Sequence, residues 1–195
     1  MPTGPTAEYL RDLHRQKRAV INAKCQHAHA EALCERLLAL SCVRAAQHIT
    51  AYIAIRGEIS LTPTMQKLSA MGKQLYLPIL RDDSMHFAPW TPGQALLKKG
   101  FGLLEPDAPE SSWLPATQLD LVLAPLVVFD KQCNRIGQGG GYYDRTFAFR
   151  QSSESNSPTL LGVAHESQHE AKLPVQHWDV PLDMIATNKA LHTRP

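Results

Sequence analysis

The residues best equipped for chemistry sit together in one stretch, Arg135-Ile136-Gly137-Gln138-Gly139-Gly140-Gly141-Tyr142-Tyr143-Asp144-Arg145. Four of the five positions from 137 to 141 are glycine, so successive backbone N–H groups are unobstructed by Cβ atoms. A helix opening after them would aim its positive end at the same place, and together these features make an anion cradle. Arg135 and Arg145 bracket the loop with fixed positive charge. The Asp144 carboxylate can hold a divalent cation against phosphate oxygens. No Gly-Lys-Ser/Thr follows, so this is not a Walker A loop. It also lies late in the chain, without the ribose-binding acid of a dinucleotide fingerprint. Spacing alone therefore reaches a phosphate or nucleotide site, with a plain glycine turn among charges as the bland alternative. The histidines add nothing comparable. His165, His169 and His177 are close in sequence but lack the spacing of a zinc protease, and His27 and His29 do not share a helix face.

Positioning such a loop requires strands that end beside it. Leu119–Pro125 is a strongly apolar strand just before it, and Tyr142–Phe149 suits a helix just after. Upstream, residues 7–40 read as helical with a break near Asn22, with Thr6 as N-cap and Leu10, Leu13, Leu33, Leu37 and Leu38 as the apolar stripe. His48–Ile55 reads as a buried strand, Pro63–Ala70 as a helix, and Gln74–Pro78 and Met85–Ala88 as strands. Residues 89–118, rich in Pro and Gly, read as a long loop with local turns. Leu160–Ala164 and Met184–Ala186 supply two further strands. Strands alternating with helices predict an α/β fold: a three-layer α/β/α arrangement with an open, largely parallel sheet. Residues 1–195 read as one domain, because no stretch has the composition of an interdomain linker.

Composition narrows the partners. Among 195 residues, 20 basic side chains face 18 acidic ones, which is too balanced for a nucleic-acid binder. No run of about 20 apolar residues exists to span a membrane, and no apolar segment at the N-terminus resembles a secretory signal. The expectation is a soluble, cytoplasmic chain acting as a monomer on small molecules. Four cysteines without a C-x-x-C pair read as small apolar residues, with no disulfide framework. Arg11, Arg15, Lys17 and Arg18 crowd the first helix. By composition alone they read as a solvated face.

The segment R-I-G-Q-G-G-G-Y-Y-D-R resembles the signature of the 5-formyltetrahydrofolate cyclo-ligase family, R-[LI]-G-x-G-x-G-[FY]-Y-D. Its flank agrees: Ala124-Pro125-Leu126-Val127-Val128-Phe129-Asp130 matches a strand ending in Pro and followed by Phe-Asp. Gly57-Glu58, Leu77-Pro78, Glu105-Pro106, Leu161-Gly162-Val163-Ala164 and Leu173-Pro174 recur in the family's order. Trp178-Asp179-Val180-Pro181-Leu182-Asp183 with Thr187 resembles its closing motif. The likeness runs over residues 8–190.

The resemblance implies closure of 5-formyltetrahydrofolate to 5,10-methenyltetrahydrofolate, with ATP as co-substrate, Mg2+ as cofactor, and ADP and phosphate released. It implies catalytic roles for Arg135, Tyr142 and Asp144. The ATP site implied is Arg11, Arg15, Arg135, Ile136, Gly137, Gln138, Gly139, Gly140, Gly141, Tyr142 and Tyr143. The folate site implied is Ile53, Glu58, Phe101, Gln138 and Tyr142, with Glu58 gripping the pterin. Asp144 and Asp179 match the metal positions, and Asp183 competes with the second of these. Two other classes stay open on the residues alone. One is a sugar-phosphate isomerase or coenzyme A transferase using the glycine loop for a substrate phosphate. The other is a non-enzymatic nucleotide-binding regulator.

Overall fold

The structure is a computed structural model that describes residues 4–99, 102–152 and 157–194. Thr6 caps α1 (Ala7–Ala19), its hydroxyl accepting from the Tyr9 N–H at 3.2 Å. Asn22 caps α2 (Ala23–Ala39) in the same way, with the Cys25 N–H at 2.9 Å. Each cap satisfies a donor that a helix N-terminus leaves over, so the break near Asn22 is the start of a second helix. A five-residue α3 (Ser41–Ala45), too short to show a hydrophobic period, leads to β1 (His48–Thr50).

β1 is shorter than its apolar run. After Ala51, whose N–H reaches the Tyr76 carbonyl at 3.0 Å, the chain leaves the sheet, and Tyr52, Ile53 and Ile55 turn toward a cleft instead. α4 (Thr62–Ala70), β2 (Gln74–Arg81) and β3 (Ser84–Pro89) follow. The stretch read as irregular, 89–118, contains a small antiparallel pair, β4 (Leu96–Lys98) and β5 (Leu104–Pro106), with two 3-10 turns after it. β6 (Leu121–Pro125) is followed by a two-residue ribbon, β7 (Val128–Phe129) with β8 (Arg135–Ile136). α5 (Tyr142–Phe147) is only six residues long before it tightens into a 3-10 turn at Ala148–Gln151. β9 (Thr159–Ala164), β10 (Met184–Thr187) and β11 (Leu191–Thr193) complete the chain.

The seven-stranded sheet has the order β11-β10-β9-β6-β1-β2-β3. β10, β9, β6, β1 and β2 run parallel, and β11 and β3 add antiparallel edges. Both faces are covered. Along β6, Leu121 and Leu123 face the cluster built with Leu33 and Leu37 of α2 and Met65 and Leu68 of α4. Val122 and Ala124, alternating with them, face Phe129 and Phe147 on the other side. Burial on both faces is why β6 reads as an unbroken apolar run. α1 stands apart from both clusters: Leu10 packs on Val128, Ile136 and Leu173. That contact lays the helix's basic residues against the segment that follows β8. No helix among the described residues is long and apolar enough to cross a membrane.

Candidate functional site

The sheet order has one reversal. From β1 the chain moves outward to β2 on one side, whereas β6, β9 and β10 build out on the other. The crevice beyond the carboxyl ends of β1 and β6 is therefore a topological switch point, where open α/β sheets bind their ligands. The turn carrying Glu58 follows β1, and the glycine loop follows β6 by way of the β7–β8 ribbon. Both line a single cleft of about 1340 Å³. A pocket for one drug-sized ligand is typically about 300–1,000 Å³, so this cleft has room for two.

In the middle of the cleft lies the glycine loop. Gly139 and Gly141 take φ of 105° and 66°, the left-handed region that glycine enters without penalty. Gly141 is also the N-cap of α5. α1 clasps the loop from outside. Arg11 donates from Nε to the Gly137 carbonyl at 2.9 Å. Arg15 donates from Nη2 to the Gln138 side-chain Oε1 at 2.8 Å. The basic crowd on α1 is thus not the solvated face that composition suggests. Arg11 and Arg15 hold the loop, and Arg18 is buried.

At one end of the loop is Glu58, 8% exposed. Arg56 and Gly57 before it have φ of 50° and 75°, a tight left-handed turn that swings the carboxylate inward. Its Oε2 accepts from the Ile55 N–H at 3.2 Å, and its Oε1 accepts from Gln138 Nε2 at 3.0 Å. Arg18 lies behind it at 4.0 Å and donates to the Leu126 and Arg56 carbonyls. Burial pushes the Glu58 carboxyl above the ordinary carboxylate range, opposed by the Ile55 N–H and the Arg18 charge. Burial likewise lowers the Arg18 guanidinium.

At the other end Asp144 accepts at Oδ1 from Arg135 Nη2 at 2.8 Å and from the Val180 N–H at 3.1 Å. Arg135 also donates to the Val180 carbonyl, and its guanidinium lies 5.8 Å from the Tyr143 ring centre. The hairpin between β2 and β3 forms a further wall. Tyr142 donates its hydroxyl hydrogen to the Asp82 carbonyl at 3.1 Å, and Arg145 donates to that of Asp83 at 3.0 Å.

Among the residues expected at the site, Arg11, Ile53, Glu58, Arg135, Ile136, Gly137, Gln138, Gly139, Gly140, Gly141, Tyr142, Tyr143, Asp144 and Asp179 all line the cleft. Arg15 does not line it, but reaches the loop through Gln138. Phe101 lies outside the described residues. Asp183 is absent from the lining and is held elsewhere: both its oxygens accept from Arg150, at 2.8 and 3.0 Å, and Oδ2 also takes the Leu160 N–H. It ties β9 to the segment before β10, whereas Asp179 lines the cleft. Sequence reasoning missed the part played by Arg18. The signals for it were its helical spacing from Arg11 and Arg15 and the likeness of Arg11 and Arg18 to the family's basic N-terminal helix. It also missed Tyr52, Asp83 and Lys172, which line the cleft from loops with no motif of their own.

Fold and cleft together define the class: an α/β protein with a cleft at the sheet's switch point, between an acid-bearing turn and an arginine-braced glycine loop. Comparison with known proteins narrows it. The model of the 5-formyltetrahydrofolate cyclo-ligase family matches residues 5–188. The chain is 36% identical over 178 residues to the 5-formyltetrahydrofolate cyclo-ligase of Haemophilus influenzae, covering 90% of this chain and 94% of that one. It is 31% identical over 176 residues to the enzyme of that name from Escherichia coli K12, covering 89% and 95%. The solved structure of Aquifex aeolicus 5,10-methenyltetrahydrofolate synthetase superposes with a TM-score of 0.80 at 26% identity, covering 96% of this chain and 92% of that one. The Mycoplasma pneumoniae synthetase shares the fold, with a TM-score of 0.74 at 21% identity. The chain belongs to the 5-formyltetrahydrofolate cyclo-ligase family.

Proposed function

We propose that this protein is an ATP-dependent ligase that closes 5-formyltetrahydrofolate to 5,10-methenyltetrahydrofolate. The observation that carries the reading is the pairing, in one cleft, of a buried acid with an arginine-braced glycine loop, joined through Gln138. A pterin's amino-pyrimidinone edge presents adjacent N–H donors, and a carboxylate accepts such a pair well. A triphosphate needs backbone N–H groups and guanidinium charge. The isomerase, transferase and regulator readings leave Glu58 without a task.

In this reading the formyl oxygen of the substrate attacks the γ-phosphorus of ATP, and the bond from that phosphorus to the ADP oxygen breaks. The amide oxygen, a poor leaving group, is thereby converted into a phosphate. N10 then attacks the formyl carbon and gives up its proton to the departing phosphate, which leaves with the bonding electron pair as the ring closes. Such a transfer asks the protein chiefly for alignment and charge neutralisation. Glu58 and Ile53 hold the pterin, the backbone from Gly137 to Gly141 cradles the phosphates, and Arg11 and Arg135 oppose their charge. Arg15 acts through Gln138. Tyr142, fixed by its hydroxyl on the β2–β3 turn, borders the formyl group, while Tyr143 backs Arg135.

The cleft fits Mg2+. Among the described residues there is no cage of three or more ligating side chains, and this ion is commonly held by one or two carboxylates plus substrate phosphates. Asp144, with both its hydrogen bonds made by Oδ1, and Asp179 are the carboxylates in place. The ion would neutralise phosphate charge there. The test is phosphate release from ATP as 5-formyltetrahydrofolate is added. Release in step with product supports the reading, and turnover without ATP overturns it.

A further inference from the structure

Three tryptophans occur in the chain, and two are accounted for by the fold. Trp90 is buried and donates its indole N–H to the Gln94 carbonyl. Trp113 donates to the Ala108 carbonyl and lies under the Arg81 guanidinium at 5.3 Å. Trp178 is different. It is 56% exposed yet lines the cleft, and its indole N–H makes no hydrogen bond among the described residues. Among the described residues its ring neighbour is His177, edge-on at 4.6 Å between centroids. Singly exposed apolar side chains are ordinary, and Tyr9, Val20 and Met71 are others here; what sets Trp178 apart is that its exposed ring lines the cleft.

Its mounting fixes which part of the cleft it serves. Trp178 sits on a turn closed by the Asp179 carboxylate accepting the Gln176 N–H at 2.8 Å and by the Asp179 N–H on the Gln176 carbonyl at 3.1 Å. Two residues on, Val180 is clamped by Asp144 and Arg135. The indole is therefore tethered to the Asp144 end of the glycine loop. Glu58 is bonded at the opposite end, through Gln138. The chain segments leading to α1 and to Trp178 supply Pro5, Ala7, Leu173 and Pro174 to the lining, with Thr6, Lys172 and Gln176 as the polar residues among them, and Ala7 and Leu173 belong to one apolar cluster. A nucleoside triphosphate whose γ-phosphate must meet a pterin-borne formyl group can only place its base at the end remote from Glu58.

We propose that Trp178 is the stacking platform for the purine base of the nucleotide, with the Pro5–Ala7 and Leu173–Gln176 segments as walls of that subsite. This rests on the ligase reading above. A base laid on an exposed indole gains dispersion and excludes water without demanding hydrogen-bond readout.

The test compares ADP with inorganic tripolyphosphate, which offers phosphates and no base. Each is titrated calorimetrically into the wild type, Trp178→Ala and Trp178→Phe, after thermal melts establish that the variants are folded. Trp178→Ala should weaken ADP by about tenfold or more and tripolyphosphate by less than about twofold, while Trp178→Phe keeps most of the ADP affinity. ADP should also quench the indole fluorescence of the wild type. Equal losses for both ligands would mean that Trp178 only braces the Asp179–Val180 turn, and would overturn the proposal. So would an unchanged ADP affinity, or a loss confined to 5-formyltetrahydrofolate. Failure of ADP and tripolyphosphate to bind the wild type at all would bring down the ligase reading together with the subsite. Normal turnover with an indifferent Trp178→Ala would bring down the subsite alone.

Discussion

At the scale of single residues, Glu58 carries the sharpest demand. Its two oxygens already accept one hydrogen bond each, from Ile55 and Gln138, and the residue lines the cleft. Glu58→Gln preserves volume but turns an amide NH2 toward one of those donors, so a donor meets a donor. The variant also presents a single acceptor to the pterin. An unsatisfied polar group of this kind costs about 1–3 kcal/mol. The expected outcome in calorimetric titration is 5-formyltetrahydrofolate binding weakened by roughly tenfold, with nucleotide binding alone nearly unchanged. The wild type should show a related pH effect. Burial raises the Glu58 carboxyl, so the ionised acceptor, and folate affinity with it, is lost as pH falls through that raised value. Loss of nucleotide affinity with the folate constant intact would place the pterin at the wrong end of the cleft.

Between elements, the site is a set of clasps. α1 contributes Arg11, Arg15 and Arg18, one turn or two apart, to the glycine loop and to the turn after β1. Gln138 closes the ring by accepting from Arg15 and donating to Glu58. The two cleft-lining loops, to which the proposed function gives the two ligands, thus share one side chain. Order imposed on the glycine loop by a nucleotide should fix Gln138, and through it the Glu58 carboxylate, before folate arrives. We expect each ligand to tighten the other by about fivefold or more. In Gln138→Met, which keeps the length and removes the amide, that factor should fall to about one. An undiminished factor in the variant would contradict the shared-residue account. These clasps were only partly legible in the sequence. The glycine loop was, because its composition is extreme and contiguous. Arg18 was not, because a buried arginine and a solvated one look alike until the helix's neighbours are known. β7 and β8 were too short for any period, and β1 stopped early because its apolar run serves the cleft as well as the sheet.

Over the whole molecule, the parallel order of strands was readable from the alternation of strands with helices, and the apolar runs of β6 and β9, buried on both faces, agree with it. The antiparallel edge β11 was not. It is short and polar, with Leu191 exposed, and it exists only because β10 offers it an edge. The support behind the site extends to a buried histidine. His165 lies after β9, fully buried, with Nε2 on the Gly57 carbonyl at 3.2 Å and Nδ1 on His29 at 2.9 Å. Burial, with His29 beside it, pushes His165 down to about 4, whereas the unfolded chain would titrate near 6.5. The unfolded state then binds the proton first, so stability is full above about pH 6.5 and is lost as pH falls toward 4. The loss is on the order of 3 kcal/mol. Chemical denaturation across that window should show the slope, and His165→Gln should flatten it. A slope unaltered by the substitution would assign the acid sensitivity to other groups.

The central claim is that the cleft turns a formyl oxygen into a phosphate leaving group, and isotopic labelling reads this directly. With the formyl oxygen of 5-formyltetrahydrofolate labelled as oxygen-18, and with ATP present, the released inorganic phosphate should carry the label, one atom per methenyl product formed. Unlabelled phosphate, or product formed with the label lost to water, would contradict the account.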